Sequence, residues 1–272
     1  MEKIRMPAVA GMFYPGAPDT LKKEINYLLS NYKPSKTYGN VLGIVSPHAG
    51  YKYSGATAAY AYNTIAGKSF ETVVIISPSH REYFPGVSIY SGDAYRTPLG
   101  IISVNKQIRK KLIEESPAIF AGEEGHREEH ALEVQLPFLQ IVLGNFDIVP
   151  VVMGDQRKKF VDDLALALSK VLDKNILIVA SSDLSHFYPK QKASELDQKI
   201  EEYINNYDYT GLVEDLEKRN CEACGGGPIA VMMRAIEMNN KPKSEVLSRT
   251  DSGDVTGDNS EVVGYLSAVV YA

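Results

Sequence analysis

The stretch that decides the fold class is Val41-Leu42-Gly43-Ile44-Val45-Ser46, which runs directly into Pro47-His48-Ala49-Gly50. Its first six residues offer apolar side chains to both faces of an extended chain, which is typical of a strand buried inside a parallel sheet. Runs of the same kind recur at residues 72–77, 147–152 and 176–181. A further strand is predicted at residues 262–270, and an alternating run at 87–90 predicts an edge or antiparallel strand.

Longer amphipathic segments lie between these strands, and each predicts a helix. They are residues 19–31, 56–65, 106–115, 131–143, 158–172, 193–205, 210–219 and 228–238. Alternation of strand and helix predicts an α/β fold, here a three-layer sandwich around a mixed, largely parallel sheet. No linker rich in Pro, Gly or Ser divides the chain, so we expect a single domain over residues 1–272.

Composition and charge exclude several classes of function. The 272 residues contain 29 Lys and Arg against 34 Asp and Glu, a net charge of −5. A dedicated nucleic-acid-binding protein needs a basic face to neutralise phosphates, so we expect no nucleic-acid partner. No run approaches the ~20 apolar residues that span a bilayer, and Pro and Gly interrupt the first residues where a signal peptide needs its apolar run. We therefore expect a soluble, cytoplasmic protein without a membrane partner.

Histidines follow three of the predicted strands. His48 and His80 each come within a few residues of a strand end, and Asp183 and His186 follow the strand at 176–181. Ligands of open α/β sheets bind at the carboxyl ends of the strands, so these side chains are expected to share one cleft. Neutral imidazole is a common ligand of iron, copper and zinc, which predicts a metal site. The alternative is that each histidine only caps its strand through a backbone hydrogen bond.

The segment from His126 to His130 matches the H-x-x-E-H pattern of inverted zinc peptidases. Gly125 directly precedes it, so His126 would stand at or before the start of a helix rather than inside it. We therefore disfavour the peptidase hypothesis. His130, together with Glu133 on the following predicted helix, is more plausible as part of the cleft.

The two cysteines, Cys221 and Cys224, are too few for a disulfide framework or a four-cysteine zinc site. Their C-x-x-C spacing is followed by three glycines and Pro228 before the next predicted helix. A helix N-terminus favours a thiolate, so we expect a lowered pKa at Cys224 and a role as metal ligand or nucleophile. The alternative is a small residue packed beneath a turn.

Eight motifs, in this order along the chain, resemble those of the Memo family. They are PAVAGMFYP at residues 7–15, SPHAGYKYSG at 46–55, PSH at 78–80, YRTPLG at 95–100, EHALEVQLP at 129–137, SSDLSHF at 181–187, CGGGPI at 224–229 and SGDVTGDNSEVVGY at 252–265. Prokaryotic members are often called AmmeMemoRadiSam system protein B, a name that implies a functional link to a radical SAM protein and an AMMECR-like protein. The resemblance implies the fold of class III extradiol dioxygenases, which open catechol rings with non-haem iron. Eukaryotic members are linked to signalling at phosphorylated receptors and to cell motility.

The resemblance also implies roles for individual residues. It marks His48, His80 and Cys224 as ligands of iron or copper, with zinc as a substitute. Asp183, His186 and His130 match further cleft residues: His186 or His130 would move protons, and Asp183 would orient a histidine.

The dioxygenases hold iron with two histidines and a carboxylate. A thiolate at Cys224 departs from this donor set, so the resemblance does not decide whether this protein cleaves catechol rings. Two functions remain. One is a mononuclear metal oxidoreductase with a dioxygenase-like cleft. The other is a non-catalytic binding or signalling protein whose cleft holds a peptide or small acidic ligand.

Overall fold

The computed structural model describes residues 2–272 of the chain. The strands are β1 (Ile4–Arg5), β2 (Val41–Ser46), β3 (Thr72–Pro78), β4 (Val87–Tyr90), β5 (Ala94–Thr97), β6 (Gly100–Ser103), β7 (Ile119–Gly122), β8 (Asp147–Met153), β9 (Ile176–Ser181), β10 (Asp183–Tyr188), β11 (Lys243–Asp251) and β12 (Val262–Tyr271). The helices are α1 (Pro18–Asn31), α2 (Tyr51–Ile65), α3 (Lys106–Glu115), α4 (Gln135–Leu143), α5 (Lys158–Ser169), α6 (Lys190–Asn205), α7 (Tyr209–Glu217), α8 (Gly226–Glu237) and α9 (Gly253–Thr256).

One large mixed sheet forms the middle layer. Its strand order is β10-β12-β2-β9-β3-β8-β4-β7, and β11 also pairs with β12, along residues 264–271. The four central strands β2, β9, β3 and β8 are parallel. Strands β12 and β4 join this centre in antiparallel fashion on its two sides. A small second sheet has the order β1-β5-β6.

Helices cover both faces of the large sheet. Alternate residues of β3 point to opposite sides: Val74 and Ile76 belong to a core shared with α3 and α5–α8. Val73 and Ile75 belong to a second core shared with α1, α2 and α4. The predicted α/β fold, a three-layer sandwich around a mixed sheet, is confirmed. The continuous apolar runs of the central strands reflect burial against both helical layers.

Two helices begin four or more residues away from their predicted starts. Helix α2 starts at Tyr51 rather than at residue 56, directly after the turn at Gly50. Helix α4 starts at Gln135 rather than at 131. A side chain explains the later start, because Glu129 accepts the backbone N–H groups of His130 and Ala131 and so competes with helical hydrogen bonding.

The strands that flank the parallel centre were harder to predict from the sequence. Strand β4 is antiparallel to β8 as predicted, but it is not an edge, because β7 pairs with its other side. Strands β10 and β11, both paired with β12, were not predicted. The residues of β11 are polar and half-exposed, so this strand lacks the apolar run that marks the central ones. Among residues 2–272, no helix combines the length and hydrophobicity needed to cross a bilayer.

Candidate metal centre

His48, His80 and Cys224 meet at the carboxyl edge of the central strands. His48 follows β2, His80 follows β3, and Cys224 lies just before α8. One ligand atom from each of the three side chains lies within 4.8 Å of the other two. The shortest approach joins Cys224 Sγ to His48 Nε2, at 3.1 Å. Three separate elements thus bring two imidazole nitrogens and one sulfur to a common point.

The hydrogen bonds around Ser181 fix the tautomer of His48. The Ser181 hydroxyl donates its one proton to the carbonyl oxygen of Ala131 at 2.7 Å. It must then accept from Gln135 Nε2 at 2.8 Å and from His48 Nδ1 at 2.9 Å. The Gln135 amide is oriented in turn because its Oε1 accepts from the hydroxyl of Tyr62 at 2.5 Å. His48 therefore carries its proton on Nδ1 and directs the Nε2 lone pair at Cys224.

Glu129 gives His80 and His130 the same orientation. Its carboxylate lies 3.0 Å from His80 Nδ1 and 3.2 Å from His130 Nδ1. A carboxylate that accepts from Nδ1 leaves Nε2 as the free lone pair, the pattern found behind metal-bound histidines. The three imidazole rings of the cluster lie close together, with centroids 4.9 to 5.5 Å apart.

The group formed by His80, Glu129 and His130 also has its polar atoms within 4.8 Å of one another. The Glu129 oxygens are already occupied, because they also accept the backbone N–H groups of His80, His130 and Ala131 at 2.5 to 2.9 Å. Four of these donors converge on Oε1, which has only about two lone-pair sites, and Oε2 accepts the backbone N–H of His80. Burial alone would raise the pKa of Glu129, but the hydrogen bonds from His130 and His80 outweigh it and hold that pKa well below its usual range. We interpret Glu129 as the support of two imidazoles rather than as a metal ligand.

Asp183 connects the loop after β2 with the loop before α8. Its Oδ1 accepts the backbone N–H of His48 at 2.7 Å. Its own backbone N–H donates to Cys224 Sγ at 3.2 Å, and the N–H of Cys224 donates to the Asp183 carbonyl at 3.2 Å. Asp183 thus orients the backbone of one candidate ligand and the sulfur of the other.

The electrostatics of the site favour neutral groups in the metal-free protein. Burial, followed by the neighbouring His80 and His130, lowers the pKa of His48 well below its usual value. The imidazole is therefore neutral, the form that binds metal. The expectation of a lowered pKa at Cys224 was wrong, because burial and the Asp183 carboxylate raise the pKa of this thiol well above its usual value.

His186 and His130 lie at different distances from the three converging residues. His130 is part of the imidazole cluster and packs against Phe13, with ring centroids 4.8 Å apart. His186 stands on β10, where its backbone N–H donates to Glu222 at 3.3 Å and its ring contacts that of Phe187. It belongs to neither group of converging ligand atoms found among residues 2–272.

The peptidase hypothesis is wrong in its structural context. His126 does not lie on a helix but is buried, with Nδ1 2.7 Å from the Tyr95 hydroxyl and Nε2 3.3 Å from the Ser88 carbonyl. Glu133, expected in the cleft, is instead a fully buried partner of Arg5. Both residues stabilise the packing of the N-terminal segment.

Neither cysteine forms a disulfide. Cys221 is buried in the core on the α8 face of the sheet, and this burial raises the pKa of its thiol to about 11. The sequence analysis did not identify the supporting residues Ser181 and Gln135. A signal for Ser181 existed, since it is the last residue of β9, and the register pairs it with Ser46, two residues before His48.

The donor set fits the metal ions that the sequence motifs imply. Two neutral imidazoles and a thiol sulfur are the nitrogen and sulfur ligands that zinc, copper and iron accept in proteins. Each imidazole has its other nitrogen fixed by a neighbouring oxygen, which is the usual second layer of such sites. Carboxylates that would suit magnesium or calcium are absent from the converging group.

Comparison with known proteins agrees with the sequence motifs. Two proteins named MEMO1 family protein are 41% identical in Sulfurisphaera tokodaii and 40% identical in Thermoplasma volcanium, and the alignments cover 97% and 98% of this chain and 98% of each relative. A solved structure of an uncharacterised protein from Escherichia coli K12 has a TM-score of 0.52 at 14% identity, over 85% of this chain and 100% of that one. This last likeness concerns the fold alone. The family model described as Memo-like protein matches residues 5–269, and the chain therefore belongs to the Memo family.

Proposed function

We propose that this protein binds one iron or copper ion through His48 Nε2, His80 Nε2 and Cys224 Sγ, and acts as an oxidoreductase on a small molecule in the cleft. The observation that carries the metal site is the convergence of the three ligand atoms within 4.8 Å. The fixed tautomer of His48 supports it, because a histidine that only capped its strand would not need a free Nε2 directed at a sulfur.

Cys224 distinguishes this donor set from that of a two-histidine, one-carboxylate iron site. Thiolate is a soft ligand that selects Cu(I) and also suits iron and zinc. When bound, the ion supplies one-electron redox chemistry or Lewis acidity to a ligand beside it. Asp183 lies 3.9 Å from His48 Nε2 through its Oδ2 and serves as orienting group rather than as third ligand in this proposal.

His130 is the best-placed proton acceptor of the chain for a ligand in the cleft. Its Nδ1 faces Glu129, so its Nε2 lone pair is available, and its ring lies 4.9 Å from that of His80. A general base must lie within hydrogen-bonding reach of the proton that it removes. A ligand bound beside His80 would be within that reach of His130. His186 is a second candidate, because it stands on β10 three residues after Asp183.

Reconstitution with metal tests the proposal directly. Metal-free protein is loaded anaerobically with Fe(II) or Cu(I), and bound metal is measured by elemental analysis. One ion per chain is expected in the wild type and in the control Cys221→Ser, and far less in Cys224→Ser. Equal metal in Cys224→Ser and wild type would exclude the site.

Oxygen uptake with a panel of catechols then separates the two functions. Uptake that requires His48, His80 and Cys224 supports the oxidoreductase. Metal binding without turnover supports a binding or signalling protein instead. One observation favours that alternative: Tyr83, three residues after His80, and Phe187, directly after His186, are 76% and 69% exposed, as apolar side chains at a partner surface are.

A further inference from the structure

The segment that carries Cys224 is held in place mainly through its own backbone N–H and carbonyl groups. The N–H of Gly225 donates to Ser182 Oγ at 3.0 Å, and a side chain at Gly225 would collide with the carbonyl oxygen of Ser181. Glycine is therefore required where the segment passes the end of β9. A glycine-rich segment is intrinsically flexible, so its position depends on the contacts that it makes.

Gln156 makes two of these contacts from a different part of the chain. This residue follows β8 and is half-buried beside the segment. Its Nε2 donates to the carbonyl oxygen of Cys224 at 2.7 Å, and its Oε1 accepts the N–H of Gly227 at 2.8 Å. One side-chain amide thus joins the residue that offers the sulfur to the first turn of α8.

The first turn of α8 needs such a partner. The first four N–H groups of a helix have no acceptor within the helix. Residue Gly225, at the N-cap, has no side chain to supply one, and no side-chain capping bond is present there. The Gln156 amide takes this role from outside the helix while it also fixes Cys224.

We infer that Gln156 is a positioning residue for the metal centre: its amide holds the Cys224 carbonyl and α8 in the geometry that places Sγ beside His48 Nε2. The inference rests on the metal site proposed above and adds a residue that does not touch the metal. Outer partners of metal ligands commonly change metal affinity by about 10- to 100-fold when they are removed.

The position of Gln156 allows a clean test. Its side chain borders a cavity of about 590 Å³, so a substitution there has room to adjust. Gln156→Met keeps the length of the side chain and removes both hydrogen bonds. Gln156→Glu keeps an acceptor for Gly227 and removes only the donor to Cys224. Gln198→Met, at an exposed position of α6, is the matched control.

Two measurements are made on each variant. The first is Co(II) affinity, followed through the thiolate-to-cobalt absorption that reports Cys224 as a ligand. The second is hydrogen exchange of the Cys224 amide in metal-free protein, because this amide donates to the Asp183 carbonyl and not to Gln156. If Gln156 only stabilised the fold, its substitution would lower the melting temperature without selectively changing Co(II) affinity or amide exchange at Cys224.

We expect Gln156→Met to weaken Co(II) binding about tenfold or more and to speed exchange at Cys224, while Gln198→Met matches the wild type. Gln156→Glu should also weaken binding. An added carboxylate would by itself attract the cation, so a fall in affinity there reflects the lost bond to Cys224.

Affinity within twofold of wild type in both Gln156 variants would overturn the inference, whatever the exchange shows. If the wild type binds no Co(II), the proposed metal site fails, and exchange alone decides for Gln156. Faster exchange at Cys224 would then support its positioning role, and unchanged exchange would overturn it.

Discussion

A single hydroxyl, that of Ser181, decides which nitrogen of His48 is available to a metal. It accepts from His48 Nδ1 only because its own proton is directed to the Ala131 carbonyl. Gln135 and Tyr62 continue the same buried chain of hydrogen bonds and support this arrangement of protons. The identity of the ligand atom is thus set by residues that never contact the ion.

Ser181→Ala should therefore weaken metal binding by more than the accompanying loss of fold stability would explain. The loss of a buried partner for His48 Nδ1 is expected to destabilise the metal-free fold by about 1–3 kcal/mol and to lower metal affinity about tenfold or more. Urea unfolding with chelator and a Co(II) titration measure the two effects. Ser30→Ala is the control, because its exposed hydroxyl bonds only its α1 neighbours Tyr27 and Asn31. Unchanged affinity in Ser181→Ala would contradict the tautomer argument.

Asp197 predicts a pH dependence of stability away from the metal centre. Burial raises its pKa to about 6. Its carboxylate accepts the backbone N–H of Ser185, while Arg249 lowers that pKa and Asp251 raises it. An unfolded aspartate ionises near pH 4, so between about pH 4 and 6 only the unfolded state releases this proton. The contribution of Asp197 to stability is therefore lost as the pH rises through this window.

The isosteric variant Asp197→Asn should remove that loss. Two pKa units correspond to about 3 kcal/mol. The free energy of unfolding of the variant, relative to that of the wild type, should therefore rise by up to that amount from pH 4 to pH 7. Urea unfolding at both pH values measures the difference. Asp19→Asn, on the exposed first turn of α1, should show a difference of only a few tenths of a kcal/mol. A stability difference between Asp197→Asn and wild type that stays constant across this pH range would contradict the assignment.

At the scale of elements, the sequence predicts the central strands closely and the segments between them less well. Strands β2 and β9 cover the same residues as their predicted apolar runs, because burial on both faces favours apolar residues along the whole strand. The segment before α4 does not begin a helix where its pattern predicts one, because the backbone N–H groups of His130 and Ala131 donate to Glu129, whose carboxylate is also held by the distant His80. Such side-chain competition depends on contacts distant in sequence and leaves no periodic pattern.

Glu133 shows this dependence most clearly. It forms a buried ion pair with Arg5, and its oxygens also accept the N–H groups of Ala8 and Val9 and the hydroxyl of Tyr14. One carboxylate thus connects the N-terminal segment to the segment before α4.

Glu133→Ala should destabilise the fold by about 3–5 kcal/mol, because Arg5 would remain buried without a partner. Glu123→Ala, which removes an ion pair with Lys3 at 43% exposure of the glutamate, should change stability by less than about 1 kcal/mol. Chemical denaturation of both variants measures the contrast. Similar losses in the two would show that Glu133 does not anchor the N-terminal segment.

At the scale of the whole molecule, the site depends on the sheet. His48, His80 and Cys224 are separated by up to 176 residues in sequence, and they meet because β2, β9 and β3 are adjacent and parallel. The rule that ligands gather at the carboxyl ends of parallel strands was enough to suggest the cluster. It could not reveal the pKa of Cys224 or the support from Ser181, since burial and hydrogen-bond direction follow only from the packed structure.

A metal held by three distant elements should stabilise the entire fold. Binding to the native state alone adds about 2.7 kcal/mol at a free metal concentration 100 times the dissociation constant. The bound ion would join the loops after β2 and β3 to the start of α8, so the gain should appear in global unfolding rather than in a local event. Thermal and urea unfolding with and without Co(II) measure it. Cys221→Ser should gain as much as the wild type, and Cys224→Ser should gain little. An equal gain in Cys224→Ser would place the stabilising metal outside this centre, because this variant lacks the sulfur ligand whereas Cys221→Ser keeps all three ligands.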